Sequence, residues 1–368
     1  MTTLKLTLWN VKWLNTLLKE VAKPNANPQN LRRLDGIVKV IRTIDPDILC
    51  IIEGPAGETQ MADFVERLAG YHAVKADYAP PGPDRDKAYR QKGQQWVWFL
   101  VRDALAPAPT KIALLSPKTW TAYTKQQRWD VHYWGDIESE RHRHYRHPQV
   151  LAMEWDRQNG DPLRVEFIGL HLKSKFIRKS AKDYTDFDRD DLDGAAKADA
   201  ETRRRAFVTA ALKARIKLAT EASDVRRYID HRFGQDSEPA IFVLGDFNDG
   251  PGKELFERDY LFFDLISNLQ GDVFFARRFL NHCLFDADDD LRWSVRFVDP
   301  IDKARDPHIL LDHILFTQAL VADDAPANVG PRAGNVEHRI FDEINAQLPK
   351  RFAISDHRPV SCIIDIDL

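Results

Sequence analysis

Residues 241–250 read IFVLGDFNDG, and this stretch constrains the fold more than any other. Ile241, Phe242, Val243 and Leu244 run into Gly245, and Asp246, Asn248 and Asp249 follow at once. A short run rich in β-branched and aromatic side chains, closed by Gly, predicts a buried strand. The polar cluster falls where that strand ends. Strand ends commonly carry sites in α/β proteins, because the rim of a sheet is open to ligand while the strands fix the backbone. Taken alone, the stretch fits equally well a strand running into an Asp/Asn-rich turn.

The rest of the chain decides between these readings, because the pattern recurs. Residues 4–9, LKLTLW, alternate as a half-buried strand does, and Asn10 follows. Residues 48–52 are continuously apolar, and Glu53 follows. A strand over 165–170 ends at His171. Asp356 and His357 precede a last strand over 360–366, and Asp312 lies within a predicted strand over 309–317. Gathered at one edge, these ends would supply four carboxylates (Glu53, Asp246, Asp312, Asp356), two amides (Asn10, Asn248) and two imidazoles (His171, His357). Carboxylate and amide oxygens are hard ligands, suited to Mg²⁺ or Mn²⁺ rather than to zinc. Such a cation can bridge to a phosphate and offset the charge that builds up during displacement. An imidazole held by an Asp can take the proton of an attacking water.

Leu31, Leu34, Ile37, Val38 and Ile41 recur at helical spacing and predict a helix over 28–42. Further helices are expected over 58–68, 195–233 and 336–347, with a short one near Lys253 and an apolar run over 261–265. Strands are expected over 71–76 and 94–101. The strand over 150–155 pairs as a hairpin with 165–170 across the turn-like 158–162. Helices and strands alternate while hairpins also occur, so the fold class is α/β with mixed sheets. The 368 residues allow one large domain or two ordinary ones, and no linker, repeat or low-complexity block divides them.

Bulk properties exclude some classes. A hydrophobic content of 43% describes a globular chain with a core rather than a disordered one. The formal net charge of -3 removes a global basic bias but leaves room for a local basic patch. Cys50, Cys283 and Cys362 are an odd set with neither a disulfide framework nor a zinc motif, and Cys50 and Cys362 sit in apolar runs. No run suits a signal peptide or a membrane span, so the expectation is a cytoplasmic protein without a membrane partner. No protein partner can be inferred.

Three polar stretches invite functional readings. RHRHYRH at 141–147 has no carboxylates for a metal cluster; it reads as a phosphate-facing basic loop or as solvated surface. DRDDLDG at 188–194 places Arg189 where a calcium loop needs an acid, and reads as a solvated loop. Trp120, Trp129 and Trp134 read as packing rather than base stacking. His313 is expected to face away from Asp312 and to be structural. Asp249 reads as a turn residue behind the site.

Six segments resemble the successive motifs of the endonuclease/exonuclease/phosphatase superfamily. They are WNVKWL (9–14), PDILCIIEG (46–54), GLHLKSK (169–175), GDFND (245–249), LDHILF (311–316) and SDHRPV (355–360). They appear in the family's order and span nearly the whole chain. The superfamily includes deoxyribonuclease I, abasic-site endonucleases, neutral sphingomyelinases and inositol polyphosphate 5-phosphatases. The HLKS segment is similar to those of secreted bacterial nucleases within it. The resemblance implies a four-layered α/β sandwich, with two packed mixed β-sheets flanked by helices and the site at one edge. It implies a single domain over 1–368, with a subgroup-specific helical and loop insertion at about 172–239.

Carried over by motif, Glu53 is the main metal ligand, Asn10 helps to hold metal or phosphate, and Asp356 lies at or beside the metal. Asp246 orients or deprotonates the water or protonates the leaving group. Asn248 and His171 contact the scissile phosphate. His357 is the base or a charge stabiliser, with Asp312 orienting its ring. Arg146 falls where many relatives place a phosphate-contacting Arg, and Lys173 joins it. Two departures stand out. Lys12 replaces an acidic ligand of some abasic endonucleases, and the family's Tyr near the third motif has only Tyr78 and Tyr89 as candidates.

The expected activity is Mg²⁺- or Mn²⁺-dependent hydrolysis of phosphodiester bonds in DNA or RNA, by in-line attack of an activated water. Lys173, Lys175, Arg178 and Lys179 could neutralise neighbouring backbone phosphates. His357 is the first candidate for the base and Asp246 the second. The alternatives are a phosphatase or phosphodiesterase of small molecules or lipid headgroups, and a binding module that merely keeps the fold. The intact set of site residues argues against the last.

Overall fold

The apolar runs pair into two sheets. The computed structural model describes residues 2–368 apart from 83, 134–138, 159, 252–254, 260–264 and 323. In chain order the strands are β1 (Thr2–Asn10), β2 (Ile48–Gly54), β3 (Tyr71–Ala73), β4 (Trp96–Arg102), β5 (Lys111–Leu114), β6 (Trp129–His132), β7 (Ser139–His142), β8 (Gln149–Trp155) and β9 (Leu163–His171). They continue with β10 (Ala240–Asp246), β11 (Leu280–His282), β12 (Val295–Arg296), β13 (His308–Ile309), β14 (Asp312–Thr317), β15 (Ala327–Asn328), β16 (Gly334–Val336) and β17 (Val360–Ile366).

The first sheet has seven strands in the order β15-β17-β1-β2-β4-β3, with β16 also on β17. The second has six, in the order β11-β14-β10-β9-β8-β5. Both are mixed: β1 runs parallel to β2 and β9 parallel to β10, while their other neighbours are antiparallel. The sheets pack face to face through Leu6, Cys50 and Phe99 from the first and Phe167, Phe242 and Ile314 from the second, all almost wholly buried. Helices Leu14–Val21, Pro28–Ile44 and Glu58–Leu68 bury one apolar stripe each on the outer face of the first sheet. The result is the expected α/β sandwich of two mixed sheets flanked by helices.

A parallel strand pair needs a crossover of a dozen residues or more, usually a helix. That requirement accounts for much of the segment 172–239. Helix Gly194–Gln235, 42 residues long, carries the chain from β9 back to β10. Leu218, Ala222, Val225 and Ile229 of this helix bury against Ile168, Ile241 and Val243 on the outer face of the second sheet. Its first half packs a smaller cluster, Tyr184, Phe207 and Ala211.

Topology places the sequence-predicted ends on one rim. The C-terminal ends of β1, β2, β9 and β10 point the same way as the N-terminal ends of the antiparallel β14 and β17. In register, Asp246 stands opposite both His171 and Asp312. One expectation needs correcting. The strand over 309–317 is two strands: β13 pairs with β12 in a separate ribbon, and β14 begins at Asp312. The break is held by Ser294, whose Oγ accepts from the backbone N–H of Leu311 and Asp312. Asp312 is therefore the first residue of its strand, at the rim rather than inside the sheet.

Residues 252–254 and 261–264, which cover most of the short helix near Lys253 and of the apolar run, lie outside the described residues, as does Trp134. No described helix is long and apolar enough to cross a membrane.

Candidate active site

Asp246 is the hub of the rim. Its Oδ2 accepts from Asn10 Nδ2 at 2.9 Å and its Oδ1 from the backbone N–H of Asn248 at 2.9 Å. His171 Nε2 lies 3.8 Å from Oδ2. Burial drives the Asp246 carboxyl up to about 7: His357 opposes this, whereas Asp312 and Glu53 add to it. Gly245 is required for the strand to deliver this residue. A Cβ there would sit 2.0 Å from the carbonyl oxygen of Leu170, so only Gly lets β10 approach β9 so closely.

Beside the hub, His357 Nδ1 donates to Asp312 Oδ2 at 2.7 Å. Burial alone would lower the imidazole, but Asp312, Asp246 and Asp356 outweigh it and hold His357 up at about 10. The three carboxylates favour the protonated ring. Its backbone is fixed as well: Trp9 Nε1 donates to His357 O at 2.9 Å, and the His357 N–H bonds Ser355 Oγ. Ser355 Oγ in turn donates to Asn10 O at 2.7 Å, tying the SDHRPV segment to the end of β1.

A second cluster flanks the hub on the side of β2. Glu53 Oε2 accepts from the Trp13 N–H at 2.9 Å. Lys12 Nζ pairs with Asp356 Oδ2 at 2.9 Å, both about half exposed. Burial resists ionisation of Asp356, but His357 and Lys12 overcome it and keep its carboxyl low. Lys12, Trp13, Glu53 and Asn248 all take positive φ without being glycine. Such conformations cost energy and persist where surrounding structure enforces them, often at sites. The β2–β4 register is interrupted between Ile51 and Gly54, which turns Glu53 out of the ladder.

Arg146 and His171 form the third part. Arg146 Nη2 donates to Gln95 Oε1 at 2.7 Å and Nη1 to His171 O at 3.4 Å. Burial lowers the guanidinium, and Glu53, Glu221 and Asp246 pull it back up. His171 is held well below the ordinary imidazole range by burial, with Arg146 and His357 adding to it, so its ring is neutral. Among the described residues, Arg146 Nε, His171 Nδ1 and Asp312 Oδ1 are buried without hydrogen-bond partners. Unpaired buried donors at a rim suit an anion.

The structure thus brings Asn10, Glu53, Arg146, His171, Asp246, Asn248, Asp312, Asp356 and His357 to one edge. Lys173 is nearby but turned aside. Its N–H bonds Glu221 Oε2 at 2.8 Å and its ammonium bonds Ser174 O. Lys175, expected to face phosphate, instead pairs with Asp249 and Glu257. Asp249 also accepts from the Leu265 N–H, and so braces the turn behind the site. His313 is buried and bonds Asp249 O and His282, on the far side of the strand from Asp312.

The segment 141–147 is part solvated surface and part buried. His142, His144 and His147 are buried, Arg141, Arg143 and Tyr145 are exposed, and Arg146 reaches the rim at His171. His144 Nε2 lies 3.0 Å from Asp224 Oδ2 on the long helix, which also accepts from Trp120 Nε1 at 2.7 Å. Trp120 stacks on Tyr228 with 4.4 Å between centroids, so this Trp packs, as expected. Segment 188–194 is largely exposed, and Gly194 starts the long helix.

Sequence reasoning missed the supports. Arg33 donates to Lys12 O and Ile354 O, bracing the segments that carry Lys12 and Asp356. Gln95 aims Arg146. Glu221, buried on the long helix, anchors Lys173. None has a local signature; Ser355 alone could have been read, as the residue before Asp356 in a recurrent motif.

Among the described residues no three His, Cys, Asp or Glu side chains converge as a ready-made metal cluster. The donors present are the carboxylates of Glu53 and Asp356 and the amide oxygen of Asn10. That set fits Mg²⁺ in type, since Mg²⁺ is commonly held by one or two carboxylates and completes its shell with water and substrate phosphate.

No curated protein matches the chain. Among solved structures, an endonuclease/exonuclease/phosphatase family protein from Bacteroides thetaiotaomicron is 13% identical, with a TM-score of 0.47 over 100% of this chain and 99% of that one. Truncated Caenorhabditis elegans TDP2 is 12% identical, with a TM-score of 0.48 over 99% and 98%. The human Nocturnin catalytic domain with bound sulfate is 15% identical, with a TM-score of 0.42 over 99% and 95%. The family described as Endonuclease/Exonuclease/phosphatase family matches residues 7–357, nearly the whole length, and the chain belongs to that family.

Proposed function

We propose that this protein is a divalent-metal-dependent phosphodiesterase that acts as a nuclease on DNA or RNA. Family membership supports a hydrolase of phosphoric esters. The observation that carries the finer reading is the convergence of Asp246 with the Asp312–His357 pair, at 2.7 Å, on one rim. In this reading water attacks phosphorus in line with the departing ester oxygen. Asp246 accepts the water's proton, since its carboxyl is poised near neutrality. We place it ahead of His357 as the base, because Asp312, Asp246 and Asp356 favour the protonated form of the His357 ring. His357 instead donates to a phosphate oxygen, and Asp312 holds its ring and balances its charge. Asn248, neutral His171 and Arg146 fix the remaining phosphate oxygens. Glu53 and Asp356, with Asn10, would hold Mg²⁺ or Mn²⁺, which supplies charge stabilisation on the phosphate when bound.

The test is incubation of plasmid, duplex and single-stranded oligonucleotides with Mg²⁺ and with EDTA. Metal-dependent cleavage supports the reading. Turnover of an inositol phosphate or lipid headgroup phosphate, with no nucleic acid cut, would replace it. The domain reading goes with this one: residues 1–368 act as a single catalytic unit, with 172–239 as its subgroup-specific insertion.

A further inference from the structure

A cavity of about 390 Å³ opens directly from the candidate site, with Asn248, Asp356 and His357 at one end. Beyond them its lining is mainly apolar: Phe176, Ile177, Phe207, Phe297, Ile301 and Leu311. Segment 174–181 and the long helix form one wall. The loop between β12 and β13 forms the other.

Both walls are fastened to the strand ends that carry the proposed chemistry. Lys175, beside Phe176, pairs with Asp249, which follows Asn248. Val295, at the start of the ribbon leading to Phe297, bridges to the backbone of His357. The Phe297 N–H bonds Pro307 O at 2.7 Å, and Asp299 accepts from the N–H groups of Ile301 and Asp302, so the loop is braced. The cleft is thus held in a fixed relation to the phosphate position.

Two aromatic rings stand open in this cleft. Phe176 is 76% exposed and Phe297 is 48% exposed. Lys179 accompanies them in the lining, together with Arg305, which pairs with Asp299 at 3.6 Å, and Asp302. A flat ring joined to a phosphate matches apolar walls and open aromatic faces that stand directly beside the phosphate position.

We propose that this cleft is a subsite for an unpaired nucleobase next to the scissile phosphate, so that the protein prefers single-stranded nucleic acid. The proposal rests on the nuclease reading above and names its substrate class. Aromatic side chains stack on any base, so the subsite tolerates sequence. A base within a duplex is covered on both faces and paired at its edge, and must leave the stack to enter.

The experiment compares the wild type with the Phe176→Ala/Phe297→Ala double variant in Mg²⁺. Three substrates are used: a single-stranded oligonucleotide, its duplex, and the same strand carrying tetrahydrofuran abasic residues. The wild type is expected to cut the single strand in preference to the duplex, and the abasic strand about tenfold less well than the normal one. The double variant should lose about tenfold on the normal strand and little on the abasic one. Retained cutting of the abasic strand shows that the variant is folded, and a variant dead on both strands is judged by circular dichroism and by the single variants. Equal rates for variant and wild type on the normal strand, or equal cutting of duplex and single strand, would overturn the subsite and leave the nuclease reading intact. If no nucleic acid is cut while a lipid or inositol phosphate is, the nuclease reading falls and the subsite falls with it.

Discussion

His357 Nδ1 donates to Asp312 Oδ2 at 2.7 Å across 45 positions of sequence, and the other Asp312 oxygen is buried without a partner among the described residues. A carboxylate committed to one imidazole in this way can set both its orientation and its charge. Asp312→Asn keeps a hydrogen-bonding side chain but removes the counter-charge. It should lower kcat by about 10²–10³-fold, the range for losing one donor that stabilises developing charge. Steady-state rates on the best substrate measure this, with circular dichroism as the check on folding. Wild-type kcat in that variant would remove the pair from the chemistry.

Lys12 pairs with Asp356, one of the two carboxylates proposed to hold the metal. The pair is about half exposed, so solvent screens it and its worth is small. Lys12→Ala should release Asp356 and tighten Mg²⁺ binding by about two- to fivefold. Titration calorimetry with Mg²⁺ alone reads this without any turnover. Weaker binding in the variant would mean that Lys12 supports the metal position instead of competing for it.

How much of this was legible in the sequence differs by residue. β10 and β17 were readable because a buried strand needs continuous apolar side chains, and Asp246 and His357 follow from where those runs stop or begin. Asp312 was readable as a site residue but not as a strand start, because a side chain elsewhere, Ser294, breaks the strand. The burial of His142, His144 and His147 was not readable. Their neighbours in sequence are polar, and the groups that bury them, Trp120 and the long helix, arrive only through the tertiary fold. Arg33, Gln95 and Glu221 act by holding other residues in place, and such supports leave no periodic pattern.

Glu221 shows what such a support is worth. It is buried on the long helix, accepts from the Lys173 N–H at 2.8 Å and faces Arg146. Burial raises its carboxyl, against the pull of His144 and Arg146. Glu221→Ala should strand the Lys173 N–H and destabilise the fold by about 1–3 kcal/mol. Glu221→Gln keeps an acceptor and should lose less. Urea unfolding of the two variants tests this, and equal loss in both would show that shape, not the hydrogen bond, sets the cost.

Gly245 gives a sharper steric prediction. Its missing Cβ makes room for the Leu170 carbonyl, at a position where a Cβ would lie 2.0 Å away. Gly245→Ala must push β10 from β9, and overpacking of this kind costs about 1–3 kcal/mol or more. The same shift displaces Asp246 from Asn10, so activity should fall together with the melting temperature. An unchanged melting temperature would mean that the two strands can separate freely, which their parallel register argues against.

His147 predicts how the protein responds to acid. Its ring is wholly enclosed beside Trp120, and Nδ1 donates to the Pro148 carbonyl at 2.8 Å. Burial pushes it down to about 3; His144 and Arg90 act in the same direction, whereas Pro148 and Asp224 oppose. In the unfolded chain the same imidazole titrates at about 6.5. Between these values the unfolded state binds the proton that the folded state refuses, so stability rises with pH. The contribution is complete above about pH 6.5 and is lost progressively as the pH falls towards 3. Urea midpoints measured from pH 7 down to pH 4 should therefore decline, and the decline should be shallower in His147→Asn, which can still donate to Pro148 but does not titrate. His171 and His282, also held low by burial, keep their own share in both proteins, so the difference between the two slopes belongs to His147. Identical slopes would place a proton on His147 in the folded state, and with it a charge among Trp120, His144 and Asp224 that the packing there offers little means to hold.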